Sequence, residues 1–149
     1  MIARTLAAIA LFSAVSLPAA AQYDDSANIN AAFAQGQASE ERPETANEYW
    51  TCAAFWHVWS DFAADEFGEA MMAKLAPPLA ESAGREAFTY WEGQAALKMG
   101  LGMAELDAET ELYIELQTDK AWDLAEGVVW GEDYSFVSIL GQCAPPPAQ

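Results

Sequence analysis

Apolar positions recur at helical spacing through most of this chain, and the clearest run lies between Thr45 and Leu75. There Cys52, Phe55, Trp56, Trp59, Ala63, Phe67 and Ala70 fall on one face, with Phe62 at its edge. That is the broad apolar stripe of a core helix. Its start is marked by Thr45 and Glu48, the S/T-x-x-E spacing of a capping box, with Pro43 just upstream. Lys74 stands where a cation complements the helix dipole, and Pro77-Pro78 stops the run because proline cannot continue it.

Beyond the prolines a second helix is predicted, with Pro78 as its first residue and Glu81 in its first turn. Leu79, Ala83, Tyr90, Leu97 and Leu101 share a face that Phe88, Trp91, Ala95 and Met99 widen; Gly100-x-Gly102 loosens or ends the helix. A third helix is predicted after Asp107 as N-cap, with Leu112, Tyr113, Leu116, Ala121 and Leu124 as its apolar side and Gly127 just past its end. Residues 128–142 fit two patterns. One is a hairpin turning at Gly131-Glu132-Asp133. The other is a helix capped by Asp133 with Tyr134, Val137, Leu140 and Cys143 near helical spacing. The helix is preferred, because a lone hairpin buries little.

The ends of the chain read differently. Residues 1–21 have the form of a secretory signal: Arg4, the apolar run 6–17, and a small-residue cleavage site at Pro18-Ala19-Ala20-Ala21. The apolar run is shorter than the ~20 residues a membrane span needs, and no cysteine stands at the cleavage point to carry a lipid. Residues 22–43 are rich in Ala, Gln, Ser and Asn, with only Tyr23, Ile29 and Phe33 as sizeable apolar groups. They are expected to form a mobile lead-in with at most a turn or two of helix around 25–34. A single helical domain is expected over 44–143, followed by a flexible tail over 144–149.

Composition then narrows the partners. The formal charge is −17, from 23 acidic residues against 6 basic ones, and removing Arg4 with the signal makes it more negative still. So acidic a surface argues against nucleic acid and anionic membranes, both of which recruit Lys and Arg. It suits a basic protein partner or a cation. Two cysteines in an exported chain, Cys52 and Cys143, favour one disulfide tying the first long helix to the end of the fold.

Two polar faces stand out. His57, Asp61, Asp65 and Glu69 follow one another at i,i+4, and Glu111, Glu115, Asp119 and Asp123 repeat the spacing further on. Trp50, towards the less apolar side of its helix, is expected to join His57 in an exposed patch. Unneutralised rows of this kind are destabilised by like-charge repulsion, which a basic partner or a cation would relieve. Calcium takes six to eight oxygen ligands, so one row would need help from loops or from the second row.

The inventory excludes much else. One histidine rules out His-rich zinc sites, H-E-x-x-H and the paired Glu-x-x-His sets of di-iron bundles. No P-loop, G-x-G-x-x-G, G-x-S-x-G or C-x-x-C occurs. Met71, Met72, Met99 and Met103 with His57 do not assemble a convincing copper or haem set, since Met71 and Met72 diverge and His57 lies on the polar side. No cofactor is implied.

The expectation is therefore an all-α, single-domain bundle of three to four helices closed by Cys52–Cys143. Its role is read as that of an exported, periplasmic or secreted, non-enzymatic interaction protein meeting a basic partner through an acidic helix face. The alternative is divalent-cation binding by His57, Asp61, Asp65 and Glu69.

Overall fold

A computed structural model of the chain describes residues 24–100 and 106–146. Residues 1–23, Leu101 to Glu105 and the last three residues lie outside it. With them lie the signal reading and the expectations placed on Leu101, Gly102, Met103 and the end of the tail. The described residues form five α-helices: α1 (Ser26–Ala38), α2 (Ala46–Met72), α3 (Glu81–Met99), α4 (Ala108–Val129) and α5 (Ser135–Gln142). A single 3-10 turn, Pro77–Leu79, separates α2 from α3. No strand occurs among the described residues, and none of their helices is long and apolar enough to cross a membrane.

α2 is the hub. α3 and α4 both pack along it, α5 meets it near its start, and α1 lies against α5. From Cys52 to Ser60 every residue of α2 except His57 is buried, so this stretch is apolar almost all round. The capping box forms as its spacing predicts. The Glu48 amide donates to Thr45 Oγ1, while Glu48 Oε2 accepts from the Thr45 amide at 2.8 Å and the Glu44 amide at 2.9 Å. These donors hold the Glu48 carboxyl below its ordinary pKa. Asp107 caps α4 in the same way, accepting from the Thr110 amide at 2.8 Å.

Three features depart from the sequence expectation. Residues 26–38, expected to be a mobile lead-in, are a 13-residue helix with Ile29 and Phe33 buried. Two glycines make this possible. A Cβ on Gly36 would lie 1.9 Å from the Ser138 carbonyl oxygen, and one on Gly141 would lie 2.2 Å from that of Phe33. α1 and α5 therefore cross backbone to backbone, and little apolar surface is enough to hold them. Asn30 adds a clamp, donating to the Lys74 carbonyl and accepting from the Ala76 amide. Lys74 Nζ, expected to serve the helix dipole, reaches Asp24 at 2.6 Å and holds that carboxyl down to about 2.

The second departure is at Gly68, whose φ of 71° and ψ of 165° interrupt α2. The interruption shifts the helical phase of the last turn: Met71 turns inward and Ala70, expected on the core face, is exposed. The third concerns helix ends. α4 continues through Gly127 and stops at Gly131, with φ 67°. The Glu132 amide bonds the Gly127 carbonyl and the Gly131 amide bonds that of Val128, the pairing of a Schellman cap. α3 begins at Glu81 rather than Pro78, and Gly100 closes it in the left-handed conformation. α5 is the helix preferred for this segment. It starts one residue later than expected, with Asp133 accepting from the Ser135 amide rather than capping the helix.

The disulfide forms between Cys52 and Cys143, with Cα atoms 5.3 Å apart across a sequence separation of 91. Around it the indoles are organised by one carbonyl. Trp56 Nε1–H and Trp91 Nε1–H both donate to the Cys143 oxygen, at 2.8 and 2.6 Å. Trp59 donates to the Leu79 carbonyl at 2.9 Å. Buried tryptophans need such partners, and each of these three has one.

Candidate interaction surface

The four residues of the first predicted face sit on the outside of α2, as their spacing requires, but they do not form one continuous row. His57, Asp61 and Asp65 are exposed at successive turns, with His57 Nε2 3.6 Å from Asp61 Oδ2. Glu69 lies beyond the break at Gly68 and is out of line with them. The His57 ring rests 5.3 Å from Phe88 of α3. Trp50 is not part of this patch. It is only 3% exposed, because the end of α3 covers it and Met99 Sδ accepts its indole N–H at 3.4 Å.

The second row is intact. Glu111, Glu115, Asp119 and Asp123 are all exposed along an unbroken α4. In all, α4 carries six carboxylates and one lysine, Lys120. Little inside the molecule offsets them. Lys74 is taken by Asp24 and Arg85 by Glu81, while Arg42 donates to the carbonyls of Gly36, Gln37 and Glu41. Among the described residues no three His, Cys, Asp or Glu side chains gather so as to hold a metal ion. The rows are strings of single carboxylates rather than a cage of oxygens.

α4 also carries most of the large apolar groups left in water. Leu112 and Leu116, expected on its core side, are each 55% exposed, and Trp130 is 75% exposed. The helix is held to α2 by a different set: Thr110, Ala121, Ala125 and Val128 are buried, and Tyr113 hydrogen-bonds Thr51 across the interface at 2.9 Å. Small residues at this contact let the backbones approach, so the leucines at neighbouring positions are carried past the interface instead of into it. α3 behaves alike. Gly84, Ala87, Trp91 and Ala95 are its buried line, and Leu97, expected in the core, is 75% exposed.

Where the second half of α4 meets α2 there is a groove of about 380 Å³. Its floor is Phe62, whose ring centre lies 6.0 Å from that of Trp122 in an edge-to-face arrangement and which belongs to the aromatic cluster of Trp59, Phe67 and Phe136. Trp122, Val129 and Trp130 form the α4 wall, and Glu66 and Glu126 are acidic lining residues. Neither indole N–H of Trp122 nor that of Trp130 has a hydrogen-bond partner among the described residues. The sequence reading missed this groove. Its signal was Trp122, Glu126 and Trp130 at four-residue intervals, a spacing that places two large aromatics and a carboxylate on one strip of helix.

A second depression, about 480 Å³, lies over the disulfide and is lined by Glu40, Glu41, Glu44 and Glu48 with Arg42. Cys52 and Cys143 border it but are 2% and 3% exposed, so it offers no open sulfur chemistry. Comparison with family models, curated proteins and solved structures finds no match for this chain.

Proposed function

We propose that this is an exported, non-enzymatic interaction protein that meets a basic partner through an acidic helix face. The observation that carries the reading is the imbalance on α4, where six exposed carboxylates face solvent with one lysine among them. A surface that holds like charges at i,i+4 is destabilised until a cation neutralises them, and the chain's own cations are largely engaged elsewhere. The disulfide is consistent with an oxidising compartment.

Between the two rows, α4 supports this role better than α2. Its carboxylates are continuous and interleaved with Leu112 and Leu116, whereas the His57 row is broken at Gly68. Binding of poly-lysine, measured by calorimetry across a salt series, tests the reading. Affinity should fall steeply as salt rises. It should also fall when Glu111, Glu115, Asp119 and Asp123 are replaced together by their amides. Absence of binding at low salt, or binding indifferent to salt, counts against a basic partner.

A further inference from the structure

We propose that the groove between α2 and α4, over Phe62 and between Trp122 and Trp130, is the docking site for a cationic amphipathic segment of a partner protein. This rests on the basic-partner reading above and adds where the contact is centred and what pattern the partner must carry.

An apolar floor with an acidic lining calls for an occupant with two kinds of side chain. Phe62 joins the core aromatics and Trp122 leans on it, so the floor is held in shape before anything binds. A site pre-formed in this way loses little on ordering. Trp130 projects beyond the floor from the capped end of α4, where the Schellman turn at Gly131 fixes its backbone. Tryptophans of this kind are the residues most enriched at protein contacts.

Charge selects among the occupants. Glu66 and Glu126 line the groove, and no lysine or arginine lines it. The C-terminal end of α4 adds the negative pole of its dipole beside Trp130. Open indole faces also attract ammonium and guanidinium groups. A second copy of this chain would meet the same carboxylates with its own, since a two-fold contact sets each patch against itself. The fitting partner presents aliphatic side chains at i, i+3 and i+4, flanked by Lys or Arg.

The purified chain can be titrated with three probes: a Leu/Lys peptide with leucines at helical spacing, a scrambled peptide of the same composition, and poly-lysine. Intrinsic tryptophan fluorescence and calorimetry report binding. The patterned peptide should bind about tenfold or more tighter than the scrambled one. Trp130→Ala should remove most of that advantage while leaving the far-ultraviolet circular dichroism unchanged. Glu66→Gln with Glu126→Gln should weaken the patterned peptide severalfold and flatten its salt dependence.

Equal affinity for both peptides, or indifference to Trp130→Ala, overturns the groove while leaving the basic-partner reading standing if poly-lysine still binds. Failure of all three probes at low salt removes that reading itself. Self-association of the chain that Trp130→Ala abolishes would make the groove a contact between copies and overturn the proposal.

Discussion

α2 and α4 are the two long helices that carry aromatic residues on both sides of their contact, and they use tryptophan in opposite ways. On α2, Trp56 and Trp59 are wholly buried and each indole N–H is bound to a carbonyl. On α4, Trp122 and Trp130 stand in water without such a partner among the described residues. A buried indole with its donor satisfied is a structural element, since removing it leaves a cavity and takes away a buried hydrogen bond. An exposed indole on a fixed helix end contributes almost nothing to folding, and so is free to serve recognition. Residue type alone does not separate the two cases.

The widest expected gap between these helices comes from matched truncations. Trp56→Ala should cost roughly 3–5 kcal/mol of stability, and Trp130→Ala should stay within about 0.5 kcal/mol. Denaturant unfolding of both variants measures this, and equal losses would erase the distinction. Next, serine at both Cys52 and Cys143 should cost about 2–5 kcal/mol, in line with a large closed loop. It should lower the unfolding midpoint without moving the probe peptide's affinity for the native chain, because the groove lies away from the sulfurs.

A smaller loss, about 1–3 kcal/mol, is expected for Gly141→Ala, whose new methyl meets the α1 backbone. Limited proteolysis should then cut first within residues 26–38. An unchanged pattern would mean that α1 is held by other contacts. Smallest are the caps. Thr45→Ala on α2 should cost about 1 kcal/mol, and Asp107→Ala on α4 should lower the unfolding midpoint in the same direction. The amides that Glu48 and Asp107 accept keep both carboxyls below their ordinary pKa in the folded state. Their contribution is therefore complete above the ordinary carboxylate range and is lost as pH falls through the lowered values. Asp107→Asn should flatten stability against pH in that acidic window, and an unaltered profile would show that the cap is not titrating there.

Much of α2 and the caps was legible in the sequence because each rests on local chemistry. Thr45 and Glu48 bond each other across one turn, Asp107 meets an amide three residues on, and two cysteines allow one intramolecular pairing. The all-helical class came from the same periodicities. α1 was not legible, since Gly36 and Gly141 acquire meaning only when the fold brings them together from opposite ends of the chain. Helical spacing also failed for Leu97, Leu112 and Leu116. A hydrophobic stripe shows which residues share a face, but here glycine and alanine set the line of closest approach, and the larger side chains beside them were left outside. Trp50 erred the other way. It lies off the main stripe of α2, yet α3 closes over it. The acidic rows were legible as spacing, while the groove needed Phe62 of one helix beside Trp122 of another.

The Cys143 carbonyl has one more implication. It is the acceptor for an indole from α2 and another from α3, and its residue holds the cross-link to α2 as well. A polypeptide that emerges from its N-terminus therefore cannot seal this interior until residue 143 is out. Until then Trp56 and Trp91 lack their acceptor within the protein, and the two helices that bear them remain an unfinished pair. Chains halted short of residue 143 should accordingly keep the red-shifted emission of wet tryptophan.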